Sequence, residues 1–345
     1  MKKSDETLDF AQTLNSLGPP EGTLDVLRDS AHLCLEYPEA YSHGDLKEAF
    51  ADAHDIDPST VTFGAGTTEI IYTLPRILNE GQVLIPSPTF WQYVASSVRE
   101  KKNIVRFSVG PDADFQVDYD KLRKEVGNSS VVYLCNPNNP TSKLYDTEMI
   151  KSLATEYPDV DFIIDETYLL FLLEFQKKSL MTFAASVENV YVVLSFSKFY
   201  SVPGLRTGAL VSSSSNIKSY ESNMVPYVLS SISVPAVKHI LQDHAFIDFA
   251  RQTFADRIDQ TYSLATSLLP QDTVEVVKPE GPFILMGLKK GLSSTVIEKE
   301  LRERGILIRD CSSLDGLGDK WVRASCKSSE EMIKLFTNLK ETICK

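Results

Sequence analysis

The sequence predicts an α/β protein with two parts: a large domain whose mostly parallel sheet is flanked by helices, and a smaller α+β domain. Its 345 residues exceed the usual size of one small domain. Hydrophobic residues make up 43% and charged residues 24%, an ordinary globular composition. From Gly44 to about Ser212, amphipathic stretches alternate with short apolar runs, as in a sheet covered by helices. After about Ser219 that alternation ends.

The first part contains five apolar runs that we interpret as buried strands, because parallel strands covered on both faces read as continuous apolar segments. Each run is followed by turn-forming or polar residues, and ligands of such sheets bind at the carboxyl ends of the strands. The runs are Val83 to Pro86, Ile104 to Phe107, Val131 to Cys135, Phe162 to Ile164 and Tyr191 to Leu194.

The second part reads as longer helices mixed with strands. We predict residues 1–36 to be an N-terminal arm that belongs to the small domain, 37–218 to be the large domain and 219–345 to be the small domain. The short run from Ser212 to Ser215 predicts a surface turn. The elements expected after it are a helical region from about Pro235 to Leu269, strands at Val274 to Val277, Phe283 to Met286, Ile306 to Ile308 and Trp321 to Ala324, and helices from Ser293 to Arg304 and from Ser329.

Charge and cysteine content narrow the function. With 35 Lys plus Arg against 47 Asp plus Glu, the net charge is −12, so nucleic acid is not an expected partner. The five cysteines are scattered, without a Cys-x-x-Cys pair or metal-ligand spacing to the five histidines, so we predict no metal site and a reducing compartment. Neither a signal peptide nor an apolar run of bilayer length occurs, which predicts a cytoplasmic protein without a membrane partner.

The strand from Tyr191 to Leu194 leads into a cluster of hydroxyl and cationic side chains. Ser195, Ser197 and Lys198 follow it directly, and Arg206 comes after a Pro-Gly turn. Hydroxyl groups together with a guanidinium suit a phosphate. The segment alone leaves open that Lys198 is an ordinary exposed lysine.

Three other strand ends carry ligand-binding side chains. A glycine-rich helix start contains Thr67 and Thr68 and can bind an anion, although its glycines could be purely steric. Asp165 and Tyr168 follow one strand, where a carboxylate could also be a helix cap or a metal ligand. Asn139 lies in a turn rich in proline and asparagine, and turn formation alone would explain it.

Taken together and in this order, these motifs resemble the fold-type I pyridoxal-5'-phosphate (PLP) enzymes, the aspartate aminotransferase superfamily, from about Leu8 to Lys340. The resemblance implies that Lys198 holds PLP as a Schiff base and that Asp165 pairs with its ring nitrogen. It further implies that Tyr168 and Asn139 bind the 3'-oxygen. The phosphate would be bound by Thr67, Thr68, Ser195, Ser197 and Arg206.

The same resemblance assigns roles outside these motifs. Phe90 looks like the aromatic residue that stacks on the cofactor ring. Arg323 looks like the clamp on the substrate α-carboxylate. Tyr37 looks like a residue that the other subunit donates to the cofactor phosphate, which implies a homodimer with its active site at the subunit interface.

Within the superfamily, the chain resembles threonine-phosphate decarboxylases and then histidinol-phosphate aminotransferases. The Lys198-Phe-Tyr form of the loop favours the decarboxylase branch, which predicts α-decarboxylation of a small, acidic or phosphorylated L-amino acid. Transamination is the alternative, and racemisation or β-elimination stays open because one fold hosts them all. In that branch Arg309 would lie near the substrate and contact a distal acidic group, with a structural salt bridge as the alternative.

Several departures from the family pattern concern the substrate side. The usual Asn-x-Asn-Pro reads Thr-Leu-Asn-Ser, which leaves Asn15 as a substrate-binding candidate. Asn-Pro-Thr-Gly ends in Ser142, and a strand that typically carries Asn-Phe or Asn-Tyr reads Gly281-Pro-Phe283. The His-Gly-Gly arm of that decarboxylase has no counterpart before Leu8. We therefore expect a small amino acid other than phosphothreonine to be a candidate substrate.

Overall fold

A computed structural model of the protein describes residues 7–39 and 43–344. The strands are β1 (Leu8–Asp9), β2 (Val61–Gly64), β3 (Gln82–Ser87), β4 (Asn103–Ser108), β5 (Val131–Cys135), β6 (Asp161–Asp165), β7 (Val190–Ser195), β8 (Gly208–Val211), β9 (Val274–Val276), β10 (Phe283–Leu288), β11 (Ile306–Leu307), β12 (Arg309–Asp310) and β13 (Trp321–Ser325).

The helices include one of 25 residues, α12, which is amphipathic rather than uniformly apolar. Within the described ranges no helix has the length and apolar character needed to cross a membrane. The helices are α1 (Thr23–Asp29), α2 (Gly44–His54), α3 (Gly66–Thr73), α4 (Gln92–Arg99), α5 (Tyr119–Val126), α6 (Thr147–Glu156), α7 (Phe175–Lys178), α8 (Met181–Ser186), α9 (Phe196–Phe199), α10 (Ser214–Asn223), α11 (Ser233–Gln242), α12 (His244–Leu268), α13 (Ser294–Glu303) and α14 (Ser329–Ile343).

The large sheet has seven strands in the order β2-β8-β7-β6-β5-β3-β4. All run in parallel except β8, which is antiparallel to both of its neighbours. The five predicted strands are confirmed as β3 to β7. The chain builds outward from β3 to β4 and then returns to build β5, β6 and β7 on the other side. The crevice at the carboxyl ends of β3 and β5 is therefore the expected ligand site of such a sheet.

Both faces of the large sheet are buried, which explains the continuous apolar runs. Leu84 and Val132 belong to one core cluster, whereas Ile85 and Tyr133 belong to another. This alternation follows from the two-residue period of a strand, which sends successive side chains to opposite faces. Helices cover both clusters, so the predicted α/β class is confirmed.

The small sheet is antiparallel in the order β12-β13-β10-β9. A separate core cluster lies between this sheet and helices α12, α13 and α14. The last helix begins at Ser329 as predicted, and Ser328 and Glu331 form a capping box there. This unit matches the α+β pattern of the second half of the sequence.

Three connections differ from the simple pattern. The helical region that begins near residue 235 is two helices, because the Asp243 side chain accepts from the Phe246 N–H and caps α12. The surface turn expected at Ser212 to Ser215 is wrong: Ser212 is buried and Ser213 caps α10. In the N-terminal segment β1 pairs with β11, whereas α1 contacts α11. The proposed division at 36/37 and 218/219 stays a prediction.

Candidate active site

The ends of five strands bring six of the predicted site residues into one cavity. Three further residues line it that the sequence reasoning missed, namely Tyr93, Cys135 and Thr167. The predicted residues that meet there are Thr67, Phe90, Asn139, Asp165, Tyr168 and Lys198. These residues therefore meet in the crevice that the strand order predicts as the ligand site.

Lys198 lies in the single helical turn α9, directly after β7. Burial lowers the pKa of its ammonium, and the positive charges of Arg323 and Arg206 lower it further, against the opposing charge of Asp165. In the described part of the chain no carboxylate forms an ion pair with its Nζ. Both features favour the neutral amine, which is the form that attacks a carbonyl carbon.

Asp165 is buried at the end of β6 and has a hydrogen-bond donor on each carboxylate oxygen. The Thr167 N–H donates to Oδ1 at 2.9 Å, and the Tyr93 hydroxyl donates to Oδ2 at 2.8 Å. Burial raises the pKa of Asp165, whereas the hydrogen bonds and Lys198 oppose the rise. Each oxygen keeps acceptor capacity for a further donor, such as a protonated ring nitrogen.

Tyr93 is the most informative residue that sequence reasoning missed. It is fully buried, and its ring stacks on that of Tyr133 with 5.2 Å between centroids. Its N–H donates to the carbonyl of Phe90 in the turn that leads into α4. The three-residue spacing from Phe90 was the available signal, because this turn brings the two residues together.

Arg323 lies in the middle of β13 and is only 7% exposed. Its Nη1 donates to Oδ1 of Asn139 at 2.6 Å, and its Nη2 donates to the carbonyl of Ala11 at 2.7 Å. The guanidinium lies over the Phe283 ring, 5.1 Å from the centroid. Its Nε is buried and has no hydrogen-bond partner in the described ranges. Nε and Nη2 together therefore retain the planar pair of donors that a carboxylate needs.

Arg309 is the direct cross-strand neighbour of Arg323 in the β12-β13 pair. Directly opposed residues of an antiparallel pair project from the same face, so the two guanidinium groups share one side of the small sheet. Arg309 donates through Nη2 to the Ser313 hydroxyl at 3.3 Å. The structural salt bridge considered as its alternative role does not occur among the residues that the structure describes.

Asn15 is hydrogen-bonded to the backbone of the turn that contains Lys198. Its Nδ2 donates to the carbonyl of Phe199 at 2.9 Å, its Oδ1 accepts from the Leu17 N–H at 2.9 Å, and its own N–H donates to the carbonyl of Lys198 at 3.0 Å. Both ends of the amide are therefore engaged with backbone. Its role in binding substrate stays a prediction.

The predicted phosphate residues surround the start of α3. Arg206 is exposed, and it donates to the carbonyls of Pro203 and Ala65 at 3.3 and 3.5 Å without an ion pair in the described chain. Thr67 lines the Lys198 cavity, whereas Thr68 lines a neighbouring cavity together with Arg206. Ser195 and Ser197 are buried at the end of β7 and in α9.

Two glycines allow these groups to come together. A Cβ on Gly66 would lie 2.5 Å from Nη2 of Arg206, and a Cβ on Gly208 would lie 2.7 Å from the backbone nitrogen of Thr67. The Gly208 distance excludes a side chain because its neighbour is backbone, and Gly66 has a φ of +76°, which disfavours a side chain even if Arg206 moves. The glycines thus keep a compact cradle of N–H, hydroxyl and guanidinium donors at a helix start, which is a fitting site for a phosphate.

Tyr37 does not belong to the cavity of its own chain. Its side chain is 91% exposed, and its ring lies 5.9 Å from that of Tyr227, which is also exposed. A contact of Tyr37 with a cofactor phosphate would therefore require a second subunit, as the resemblance implies. That role stays a prediction.

The residues present fit PLP group by group. The lysine amine of lowered pKa would take the aldehyde, and the buried carboxylate of Asp165 would pair with the ring nitrogen. The phenol of Tyr168 and the amide of Asn139 would bind the 3'-oxygen, and the cradle at the start of α3 would hold the phosphate. No group of three or more potential metal ligands occurs in residues 7–39 and 43–344.

Comparisons with known proteins agree with this geometry. A protein of Caldanaerobacter subterraneus provisionally named threonine-phosphate decarboxylase is 27% identical over 329 residues, which cover 95% of this chain and 88% of that protein. Histidinol-phosphate aminotransferase of Methanococcus aeolicus is 28% identical over 346 residues, which cover 98% and 91%. The crystal structure of L-threonine-O-3-phosphate decarboxylase from Porphyromonas gingivalis matches with a TM-score of 0.86 at 24% identity, covering 98% of this chain and 100% of that one.

The family assignment rests on nearly the whole chain. Residues 8–338 match the family described as Aminotransferase class I and II. This range includes both sheets and all residues of the Lys198 cavity. The chain therefore belongs to the class I and II aminotransferases, a family of PLP-dependent enzymes.

Proposed function

We propose that the protein is a PLP-dependent α-decarboxylase of a small L-amino acid that carries a second acidic group, such as a phosphate. The proposed substrate class rests on the cross-strand pair of Arg323 and Arg309. Two guanidinium groups on one side of the sheet match a substrate with two anionic groups, because arginine binds carboxylates and phosphates through paired donors.

The cofactor would be held by Lys198 at its aldehyde carbon, by Asp165 at its ring nitrogen, and by Tyr168 with Asn139 at its 3'-oxygen. When bound, PLP withdraws the electron pair of the bond that breaks at the substrate α-carbon. The contribution of Asp165 is to keep the ring nitrogen protonated, since a buried carboxylate favours a cation beside it.

The substrate would be oriented by Arg323, whose unpartnered Nε and whose Nη2 can hold the α-carboxylate in a fixed direction. Arg309 would hold the second acidic group. With substrate in place, Lys198 would hold a proton at Nζ and deliver it to the α-carbon as a general acid. Tyr168 and Phe283, whose rings meet edge to face with 4.9 Å between centroids, would exclude water on that side.

Transamination is the second candidate, and the relatives named histidinol-phosphate aminotransferase favour it. It uses the same cofactor residues and differs in the bond that breaks. The two residues that follow Lys198, Phe199 and Tyr200, are buried and do not line the cofactor cavity. Their support for decarboxylation therefore rests on the resemblance of this loop to that of the decarboxylases, and not on a contact with the substrate.

A substrate panel separates the two reactions. The holoenzyme is incubated with amino acids that include O-phosphothreonine, O-phosphoserine, aspartate and glutamate, and released CO2 is trapped while 2-oxo acids are assayed in parallel. We expect CO2 in equal amount to the amine product. A 2-oxo acid without CO2, together with conversion of the cofactor to its amine form, would replace the proposal by transamination.

The assembly proposed with this function is a homodimer in the cytoplasm. An exposed Tyr37 beside an exposed Tyr227 supports a covering subunit, and five unpaired cysteines support a reducing compartment. Light scattering of the holoenzyme gives the subunit number. Tyr37→Phe should weaken PLP binding several-fold if the partner's hydroxyl reaches the phosphate, a loss comparable to one hydrogen bond to a charged group.

A further inference from the structure

The side chains that follow Lys198 lead to a second cavity. Tyr200 is buried and forms part of the wall of a cavity of about 380 Å³. This cavity, which we call the Arg251 cavity, lies between the end of α2, the segment around α7 and the α11-α12 junction, and it shares no lining residue with the cofactor cavity. Cofactor binding does not explain the two residues after Lys198, and the second of them, Tyr200, instead lines this other cavity.

Arg251 supplies this wall with an uncompensated positive charge. It is half-buried, its Nε donates to the carbonyl of Leu170 at 3.1 Å, and its guanidinium lies over the rings of Phe175 and Phe199 at 4.7 and 6.0 Å. Burial lowers the pKa of Arg251, and the exposed Asp248 on the rim opposes this without forming an ion pair. Within the described ranges its Nη1 and Nη2 have no carboxylate partner. An anion would therefore be bound more tightly here than at a solvated surface arginine.

The rest of the wall contains two histidines, His54 and His244, beside apolar side chains. Burial lowers the pKa of His54 to about 4, and both of its ring nitrogens are buried without a hydrogen-bond partner in the described chain. Leu241 and Ile247 add apolar surface. The cavity thus combines one guanidinium, one phenol, two imidazoles, one amide and the rim carboxylate of Asp248 with an apolar side.

We propose that the Arg251 cavity is a ligand site for a small monocarboxylate with an apolar or aromatic portion. Its carboxylate accepts hydrogen bonds from Nη1 and Nη2 of Arg251 and from the Tyr200 hydroxyl, while its apolar portion contacts Leu241 and Ile247. One ligand charge matches one unpaired cation, whereas a phosphate dianion would face Asp248 with a single positive partner. The volume lies in the range of known small-molecule pockets, roughly 300 to 1,000 Å³.

The test uses 4-fluorobenzoate and its uncharged analogue 4-fluorobenzamide, titrated into the holoenzyme and followed by 19F NMR. We expect the carboxylate to bind at least about tenfold more tightly than the amide, since the carboxylate accepts charge-assisted hydrogen bonds and the neutral amide does not. Arg251→Met should remove that difference. Tyr200→Phe, which preserves the ring, should weaken carboxylate binding several-fold.

Arg257 provides the matched control. It lies on the same helix, its guanidinium lies over the Phe254 ring at 5.4 Å, and it does not line the cavity. Arg257→Met should bind the probe like the wild type. Arg323→Gln distinguishes probe binding at the catalytic site from binding in the Arg251 cavity. Binding that depends on Arg251 should persist in this variant. Equal affinity for 4-fluorobenzoate and 4-fluorobenzamide, or unchanged binding in both Arg251→Met and Tyr200→Phe, overturns the proposal. If Arg251→Met does not fold, the isosteric Tyr200→Phe variant decides.

Discussion

The Tyr93 hydroxyl donates a 2.8 Å hydrogen bond to Oδ2 of Asp165, in a place where both side chains are buried. Tyr93 lines the Lys198 cavity and holds the carboxylate that we expect to pair with the cofactor ring nitrogen. With Thr167 N–H on the other oxygen, it fixes the plane of the carboxylate and favours its charged form. We therefore assign Tyr93 as a positioning residue.

Tyr93→Phe should raise the pKa of Asp165 and weaken its hold on a protonated ring nitrogen. Loss of a hydrogen bond to a charged group costs roughly 1.5 to 3 kcal/mol, so we expect the dissociation constant of PLP to rise about 10- to 100-fold. The measurement is a fluorescence titration of the apoenzyme. The visible-absorption pH midpoint of the holoenzyme should shift as well, which a purely structural role would not cause.

Tyr133→Phe is the control for this variant. Tyr133 stacks on Tyr93, but its hydroxyl is buried without a hydrogen-bond partner in the described chain. Its removal should leave both PLP affinity and the pH midpoint unchanged. Equal losses in the two variants would show that packing, and not the hydrogen bond to Asp165, is what matters.

A second prediction concerns Ser142, which stands where the family pattern has glycine. Ser142 is fully buried with φ of +62°, and its hydroxyl accepts from the Gly281 N–H at 3.0 Å. This bond ties the turn of Asn139 to the segment that leads into β10. Ser142→Ala keeps the strained backbone and leaves a buried N–H without a partner, so we expect a loss of about 1 to 3 kcal/mol in the free energy of unfolding.

Ser142→Gly separates the two effects. It loses the same hydroxyl but relieves the left-handed backbone, which is worth roughly 1 kcal/mol for a residue with a side chain. Urea unfolding should therefore rank the wild type above Ser142→Gly and Ser142→Ala lowest. A glycine variant less stable than the alanine variant would refute the assignment of strain.

The third prediction is a pH dependence of stability from Glu166. Glu166 is fully buried, accepts from the Ser179 hydroxyl at 2.6 Å and the Leu180 N–H at 2.7 Å, and burial raises its pKa to about 7. Its pKa in the folded protein thus exceeds the unfolded value, so folding favours its protonated form. The stabilisation is complete below the unfolded pKa, about 4.5, and is lost as the pH rises toward 7.

Glu166→Gln should abolish that slope, because its amide oxygen can accept from the Leu180 N–H and its NH2 can donate to the Ser179 oxygen without titrating. The free energy of unfolding of the wild type should fall by up to about 3 kcal/mol more than that of the variant between pH 4.5 and 7.5. Asp161, whose pKa is raised to about 6, acts in the same direction in both proteins. The difference between the two curves therefore isolates Glu166, and parallel curves would contradict its assignment.

Elements that depend on neighbouring residues could be predicted from the sequence. The strands that carry Asp165 and Lys198 are continuous apolar runs because helices cover both faces, and α14 begins at its predicted residue because Ser328 and Glu331 form a capping box. Strand β8 escaped prediction: it has only four residues and pairs with strands on both sides in the antiparallel direction.

Other features depend on contacts between distant segments. Tyr93 meets Asp165 across 72 residues, and Asn15 meets Phe199 across 184. No periodicity encodes such pairs, because the order of strands in the sheet sets them. The proximity of Arg309 to Arg323 likewise follows from the β12-β13 register, which only the folded chain defines.

The last prediction tests that register through substrate choice. Arg309 forms no ion pair in the described ranges and lies opposite Arg323 in the β12-β13 pair, so we expect its charge to select substrates with a second acidic group. Arg309→Met should raise KM for such a substrate about tenfold and leave kcat within a factor of about two. This is the lower end for the loss of a charge-assisted hydrogen bond, because the side chain is half-exposed.

Arg304 provides the control, since it pairs with Glu341 outside the cavity. Arg304→Met should change neither constant, and a substrate without the second acidic group should not distinguish Arg309→Met from the wild type. If Arg309→Met instead lowers kcat for both kinds of substrate without changing KM, Arg309 supports Arg323 structurally and does not bind the second acidic group.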